Sequence, residues 1–134
     1  MKHIQVACAL IEKEGKVLST QRSKSMSLPL KWEFPGGKIK NGESLTECLK
    51  RELREELAIE AAISHPLSPV THNYQTFSVT LHPFICRIVS GEITLHEHAA
   101  LAWLTPLELH TLDWAEADVP VIYLYQEFLR THHE

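Results

Sequence analysis

The stretch GKIKNGESLTECLKRELREELAI, residues 37–59, decides the fold. At roughly 100° per residue, Leu45, Cys48, Leu49, Leu53 and Leu57 share one broad apolar stripe, which predicts a helix over 44–57 with that stripe against a core. Ser44 is placed to cap the helix start, with Glu47 three residues on completing a capping box. On the same wheel Glu52 and Glu56 fall inside the apolar arc and Glu55 at its edge. Glu47, Lys50 and Arg54 take the opposite face. A carboxylate turned toward a core costs several kcal/mol or takes up a proton, and three within one turn repel each other. A hard divalent cation, Mg²⁺ or Mn²⁺, relieves both problems, because such ions take oxygen ligands and bridge carboxylates to phosphates. The bland alternative is a solvated acidic face paired with Lys50, Arg51 and Arg54. The wheel argues against it, since the basic residues lie across the helix from Glu56, although Arg51 sits one turn before Glu55.

Upstream of the helix, Trp32-Glu33-Phe34 runs into Pro35-Gly36-Gly37, a breaker cluster that forces a tight turn and lets backbone approach a ligand closely. Before that, residues 4–11 and 16–21 read as the two strands of a hairpin around Glu12-Lys13-Glu14-Gly15, and residues 23–31 as loop. Downstream, strand-like runs are expected at 74–80, 84–89 and 99–104, a short helix after Pro106, and a last helix over 120–130 with Val121, Leu124, Tyr125 and Phe128 on one face. Strands interleaved with helices imply a sheet covered on both faces. At 134 residues and 44% hydrophobic content, the whole of 1–134 is expected to be one domain.

The formal charge of −4 supplies no basic field for a nucleic-acid polymer or an anionic membrane. The sequence has no apolar run of membrane-spanning length and no signal-peptide pattern, so a cytoplasmic location is expected. Cys8, Cys48 and Cys86 are odd in number and sit in apolar surroundings, which suits small buried hydrophobes better than disulfides or a zinc knuckle.

Taken together, Gly37, Glu43 and Arg51-Glu52-Leu53-Arg54-Glu55-Glu56-Leu57-Ala58-Ile59 resemble the Nudix box, Gly-x5-Glu-x7-Arg-Glu-U-x-Glu-Glu-x-Gly-U, where U is a bulky aliphatic residue. One position departs: Ala58 stands where the family usually has a glycine ending the helix in a left-handed conformation, a change worth about 1 kcal/mol or a shifted helix end. The resemblance extends over nearly the whole chain. Residues 32–38 and 117–122 are similar to the MutT subgroup, and residues 95–103 to its CTP pyrophosphohydrolases. The resemblance implies an α/β (α+β) fold, the α/β/α sandwich with a mixed β-sheet. It also implies a Mg²⁺-dependent hydrolase, with Mn²⁺ as a substitute, that cuts a nucleoside triphosphate into monophosphate and pyrophosphate as a monomer or homodimer. Carried over residue by residue, Gly37 through its carbonyl, Glu52, Glu55, Glu56 and Glu97 are the implied metal ligands, Arg51 orients the glutamates, and Arg22 contacts the substrate phosphates. The proton-accepting base is Glu52 or Glu97, with Glu97 favoured because a carboxylate outside the helix can reach the water without leaving the cluster. His96 and His98 raise a zinc reading. A strand points alternate residues to opposite faces, so strand geometry would turn both histidines away from a site that Glu97 reaches.

Base choice falls outside the box. Phe34 is a candidate for stacking. Asp118 matches a position that reads the base in MutT, and an ionised Asp suits the amino group of (d)CTP or 5-methyl-dCTP. A protonated, buried Asp would instead serve an oxidised purine such as 8-oxo-dGTP. The competing role for Asp118 is capping of the last helix. A Nudix-like domain that only senses a nucleotide or sugar nucleotide is the alternative from another class, but such domains typically lose box glutamates and this chain keeps them.

Overall fold

The computed structural model describes residues 2–132. Eight strands among them form one mixed sheet: β1 (Lys2–Lys13), β2 (Lys16–Gln21), β3 (Trp32–Glu33), β4 (Gly36–Lys38), β5 (Glu60–Pro66), β6 (Val70–Asn73), β7 (Phe77–Ser90) and β8 (Ala100–Leu104). Two helices, α1 (Leu45–Leu57) and α2 (Val119–Thr131), cover its two faces.

Strand β1 shows why two layers are needed. It pairs parallel with β7 and antiparallel with β2 and β4, and its centre is buried on both sides. Cys8 and Leu10 pack toward Val121, Ile122 and Tyr125 of α2, while Ala7, Ala9 and Ile11 pack toward Cys48, Leu49, Leu53 and Leu57 of α1. The period-two alternation of a strand thus feeds two separate cores. Glu14 and Gly15 both take positive φ, 53° and 78°. Those are the angles of a tight turn whose twist matches the paired strands β1 and β2.

Helix α1 starts as its sequence indicates. The Ser44 side chain accepts from the Glu47 amide at 3.1 Å, and the Glu47 carboxylate accepts from the Ser44 amide at 2.8 Å. At the other end Ala58 takes the left-handed conformation itself, φ 61°, with its amide bonded to the Arg54 carbonyl. The helix end has not shifted, so the strain of a side chain at this position is present in the fold.

Several expectations need correction. The run expected at 74–80 starts only at Phe77, and from there it joins the run expected at 84–89 in one strand, β7, which continues through Pro83. Its antiparallel partner changes there from β6, paired up to Leu81, to β5, paired from Phe84. A missing amide donor costs least at such a junction. Strands β5 and β6 have no sequence signal, because residues 60–73 carry His65, Pro66 and Pro69 and no clear alternation. On α2 the buried positions are Val121, Ile122 and Tyr125, with Ile122 deeper than Leu124. The segment after Pro106 is a 3₁₀ turn, Pro106–Thr111. All three cysteines are buried and free.

Candidate active site

The turn between β4 and α1 brings the glycine backbone against the helix carboxylates. A Cβ on Gly37 would lie 2.2 Å from Glu52 Cδ, so only glycine lets Glu52 settle against this strand. A Cβ on Gly36 would lie 2.0 Å from the Ala7 carbonyl oxygen, which explains the second glycine by the closeness of β1. Arg51 sits at the centre of the acidic group. It donates to Glu43 through Nε and Nη2, to Glu52 at 2.9 Å and Glu55 at 3.0 Å through Nη1, and to the Lys38 carbonyl through Nη2. Its hydrogen bonds hold the Glu43 carboxyl down at about 2.

Glu56 lies apart from this network. Its side chain is 19% exposed against 54% for Glu55, as the wheel indicates. Its Oε2 is buried and, among the described residues, has no hydrogen-bond partner. Burial first, then the charge of Glu97, pushes its carboxyl above the usual carboxylate range. Glu97 belongs to the segment 91–99, which is held to the end of α1 by Thr94 N donating to Leu57 O and His96 N to Glu56 O. This segment bends at 96–97 and is not a strand, so strand alternation does not apply. Glu97 lines the cleft with Glu52 and Glu56, His96 is exposed, and His98 turns inward to the same cleft. The expectation that both histidines point away is therefore wrong for His98.

The donor set fits a hard divalent cation: an orphaned buried carboxylate oxygen, a second carboxylate pressed on a glycine backbone, and further carboxylates at the rim. Gly37, Glu52, Glu56 and Glu97 line the cleft and could hold one; Glu55, 54% exposed and paired with Arg51, is not among its lining residues and could reach it only from outside. Among the described residues no three His, Cys, Asp or Glu side chains already enclose a point at metal distance. Arg51 engages two of the carboxylates, so a cation and this guanidinium would share them.

This cleft, about 530 Å³, shares Arg22, Glu33, Gly36, Gly37 and Lys38 with a second cavity of about 330 Å³. The second cavity is walled by Ile4, Val6, Val79 and Leu81 and by the stacked pair Tyr74 and Phe77, whose ring centroids are 4.8 Å apart. Asp118 lines it, 5% exposed, and accepts from the Phe34 amide at 3.0 Å. Burial, then the charge of Glu33, pushes its carboxyl well above the usual range. Asp118 stands at the N-cap position of α2, but its side chain makes no capping bond, so the capping role is set aside. The Phe34 ring lines the same cavity and packs on Trp114 at 4.7 Å. Arg22 faces both cavities; it pairs with Glu33 at 2.8 Å and donates to the Ser27 carbonyl and hydroxyl.

Three residues here were missed from sequence, and His98, weighed as a zinc ligand, was turned away from the site by the strand rule. Glu33 stands inside the quoted run 32–37, so it had a signal. Tyr74 and Phe77 had none, because only the pairing of β6 and β7 brings them to the cavity.

Residues 1–125 match the NUDIX domain family. The chain is 38% identical over 122 residues to the CTP pyrophosphohydrolase of Escherichia coli (strain K12), covering 91% of this chain and 90% of that protein. It is 29% identical over 123 residues to the 8-oxo-dGTP diphosphatase of the same organism, covering 91% and 95%. Among solved structures, the solution structure of the E. coli ORF135 protein superposes with a TM-score of 0.85 at 34% identity, covering 99% of this chain and 95% of that one.

Proposed function

Because the chain belongs to the Nudix family of hydrolases, we propose that residues 1–134 act as one catalytic domain that hydrolyses a nucleoside triphosphate to the monophosphate and pyrophosphate. The observation that carries this is the common wall of the two cavities. An apolar cavity with a buried carboxyl opens, past Arg22 and Gly36-Gly37, onto a cleft lined by glutamates. A nucleoside seated in the first places its phosphates in the second.

A bound Mg²⁺, or Mn²⁺ in its place, would supply charge neutralisation at the phosphate oxygens. Glu52, Glu55 and Glu56 with the Gly37 carbonyl would hold it, and Arg51 keeps Glu52 and Glu55 in place. Glu97, outside the helix, takes the proton of the water; Glu52 is the other carboxylate within the cleft able to do so. Arg22 turns its guanidinium from Ser27 toward the phosphates. Phe34 forms the aromatic wall of the base seat.

Asp118 reads the base. Burial favours its protonated form, which offers one donor and one acceptor. That pair matches the oxygen and N–H of an oxidised guanine, as expected for a protonated Asp, and, beyond that expectation, also the ring nitrogen and amino group of cytosine, so Asp118 serves 8-oxo-dGTP, (d)CTP or 5-methyl-dCTP. Relatives named for the two substrate classes stand at similar identity, 38% for the CTP pyrophosphohydrolase and 36% for a putative 8-oxo-dGTP diphosphatase, so the base is decided by Asp118 and not by likeness. Competition of dCTP, 5-methyl-dCTP, 8-oxo-dGTP and dATP at low concentration tests this. One of the first three is expected to outrun dATP, and Asp118→Ala to flatten the ranking. An unchanged ranking in that variant refutes the base-reading role.

A further inference from the structure

His98 has no task in the reaction described above, yet it is among the most buried polar groups of the cleft. Its side chain is 3% exposed, and Nε2 lies 2.9 Å from Glu33 Oε2. Its other nitrogen, Nδ1, is buried without a hydrogen-bond partner among the described residues. Across from it, at 3.9 Å, stands Glu56 Oε2, also buried and also without one. That gap exceeds a hydrogen bond, whose upper range is about 3.2 Å. Leaving a buried polar atom unpaired is costly, and here two such atoms face each other.

We propose that His98 is a nitrogen ligand to the divalent cation, holding it through Nδ1 together with Glu56 Oε2, and that this donor tilts the centre toward first-row transition ions such as Mn²⁺ relative to Mg²⁺. The proposal rests on the reading of Glu56 as a ligand and adds a donor to it. Two donors each about 2.1 Å from such an ion stand up to about 4.2 Å apart, so a separation of 3.9 Å admits an ion between them. Glu33 completes the arrangement. A histidine that binds a metal through one nitrogen commonly gives the N–H of the other to a carboxylate, which fixes the ring and leaves the metal-facing nitrogen bare. Arg22, on the opposite oxygen of Glu33, ties this outer carboxylate to the phosphate-facing wall. The backbone bonds from residues 94 and 96 to the end of α1 set His98 at this depth. Imidazole is a softer donor than carboxylate and is seldom chosen by Mg²⁺, which gives the tilt in selectivity.

The test uses the full chain without nucleotide, loaded with Mn²⁺ and examined by electron spin-echo modulation. Histidine nitrogen coupling is expected in the wild type, with the pattern changing on ¹⁵N-histidine labelling. In His98→Gln the coupling disappears, and the Mn²⁺ dissociation constant rises about tenfold or more while that for Mg²⁺ moves less. Should His98→Gln fail to fold, the labelled wild type decides alone. Bound Mn²⁺ whose affinity depends on Glu56 but which shows no nitrogen coupling overturns the His98 proposal and leaves the carboxylate site standing. Coupling that persists in His98→Gln overturns it as well. A wild type that binds no Mn²⁺, or a Glu56→Gln variant that binds it unchanged, overturns both.

Discussion

Replacing Gly37 by alanine separates the chemistry of the cleft from the stability of the fold. The added Cβ would stand 2.2 Å from Glu52 Cδ and 2.4 and 2.5 Å from its two oxygens. Ordinary contact between such atoms begins near about 3.5 Å, so the carboxylate has to retreat by roughly 1 Å or more. The group that moves is the end of a flexible side chain, and Gly37 has no positive φ that an alanine would resist. The stability cost is therefore expected to stay within about 1 kcal/mol. A displacement of about 1 Å at a positioned catalytic group costs on the order of a hundredfold in rate, or about 2.7 kcal/mol of barrier. Gly36→Ala is the contrast, since its Cβ would meet the Ala7 oxygen at 2.0 Å and Cys8 Cα at 2.7 Å, both backbone atoms of β1. It should lower the melting temperature sharply, as overpacking against atoms that cannot yield does. Pyrophosphate release and a thermal melt on the two variants are the assays. Wild-type turnover by Gly37→Ala would show that Glu52 does not need its seat against this glycine.

Three further outcomes are expected. Ala58→Gly relieves the left-handed strain at φ 61°; set against the extra chain entropy of glycine, the net gain is a few tenths to about 1 kcal/mol, and an unchanged or lower melting temperature would count against it. Asp118→Asn tests the raised carboxyl. An acid whose folded pKa is raised contributes its full stability only below the unfolded value, about 3.9, and loses it as pH rises toward the folded value, at up to about 1.4 kcal/mol per pH unit. The melting temperature of Asp118→Asn should therefore gain on wild type from about pH 4 upward, whereas a gap independent of pH would mean that Asp118 is ionised throughout. Arg51→Lys keeps the charge but not the fork that spans Glu43, Glu52 and Glu55, so Mg²⁺ affinity or turnover should fall by about 10–100-fold. Equal values in a metal titration would remove Arg51 from the positioning of the cluster.

What was legible in the sequence was local. Helical periodicity placed Glu52 and Glu56 within the buried arc, and the serine cap and the glycine pair followed from chemistry within a few residues of each other. What was not legible depends on distant segments meeting. Glu33 and His98 are 65 residues apart in sequence and hydrogen-bonded in the fold, and the bend that turns His98 inward has no local marker. The rule that strand residues alternate failed at 96–98 because that segment is tied to the end of α1 and bends. Residues 60–73 lacked alternation, so the edge strands β5 and β6, and with them the seat of Tyr74 and Phe77, stayed hidden.

The glutamate cluster beside Gly37 is proposed to carry out cation-dependent cleavage of a nucleoside triphosphate into monophosphate and pyrophosphate. Phosphorus NMR of dCTP and 8-oxo-dGTP turnover, followed with Mg²⁺ and with a chelator for wild type and Glu56→Gln, tests it most directly. The expected result is monophosphate and pyrophosphate from wild type with Mg²⁺, no products with chelator, and a loss of roughly a hundredfold or more in Glu56→Gln. Turnover in chelator, undiminished turnover by Glu56→Gln, or diphosphate and orthophosphate as the products would contradict it.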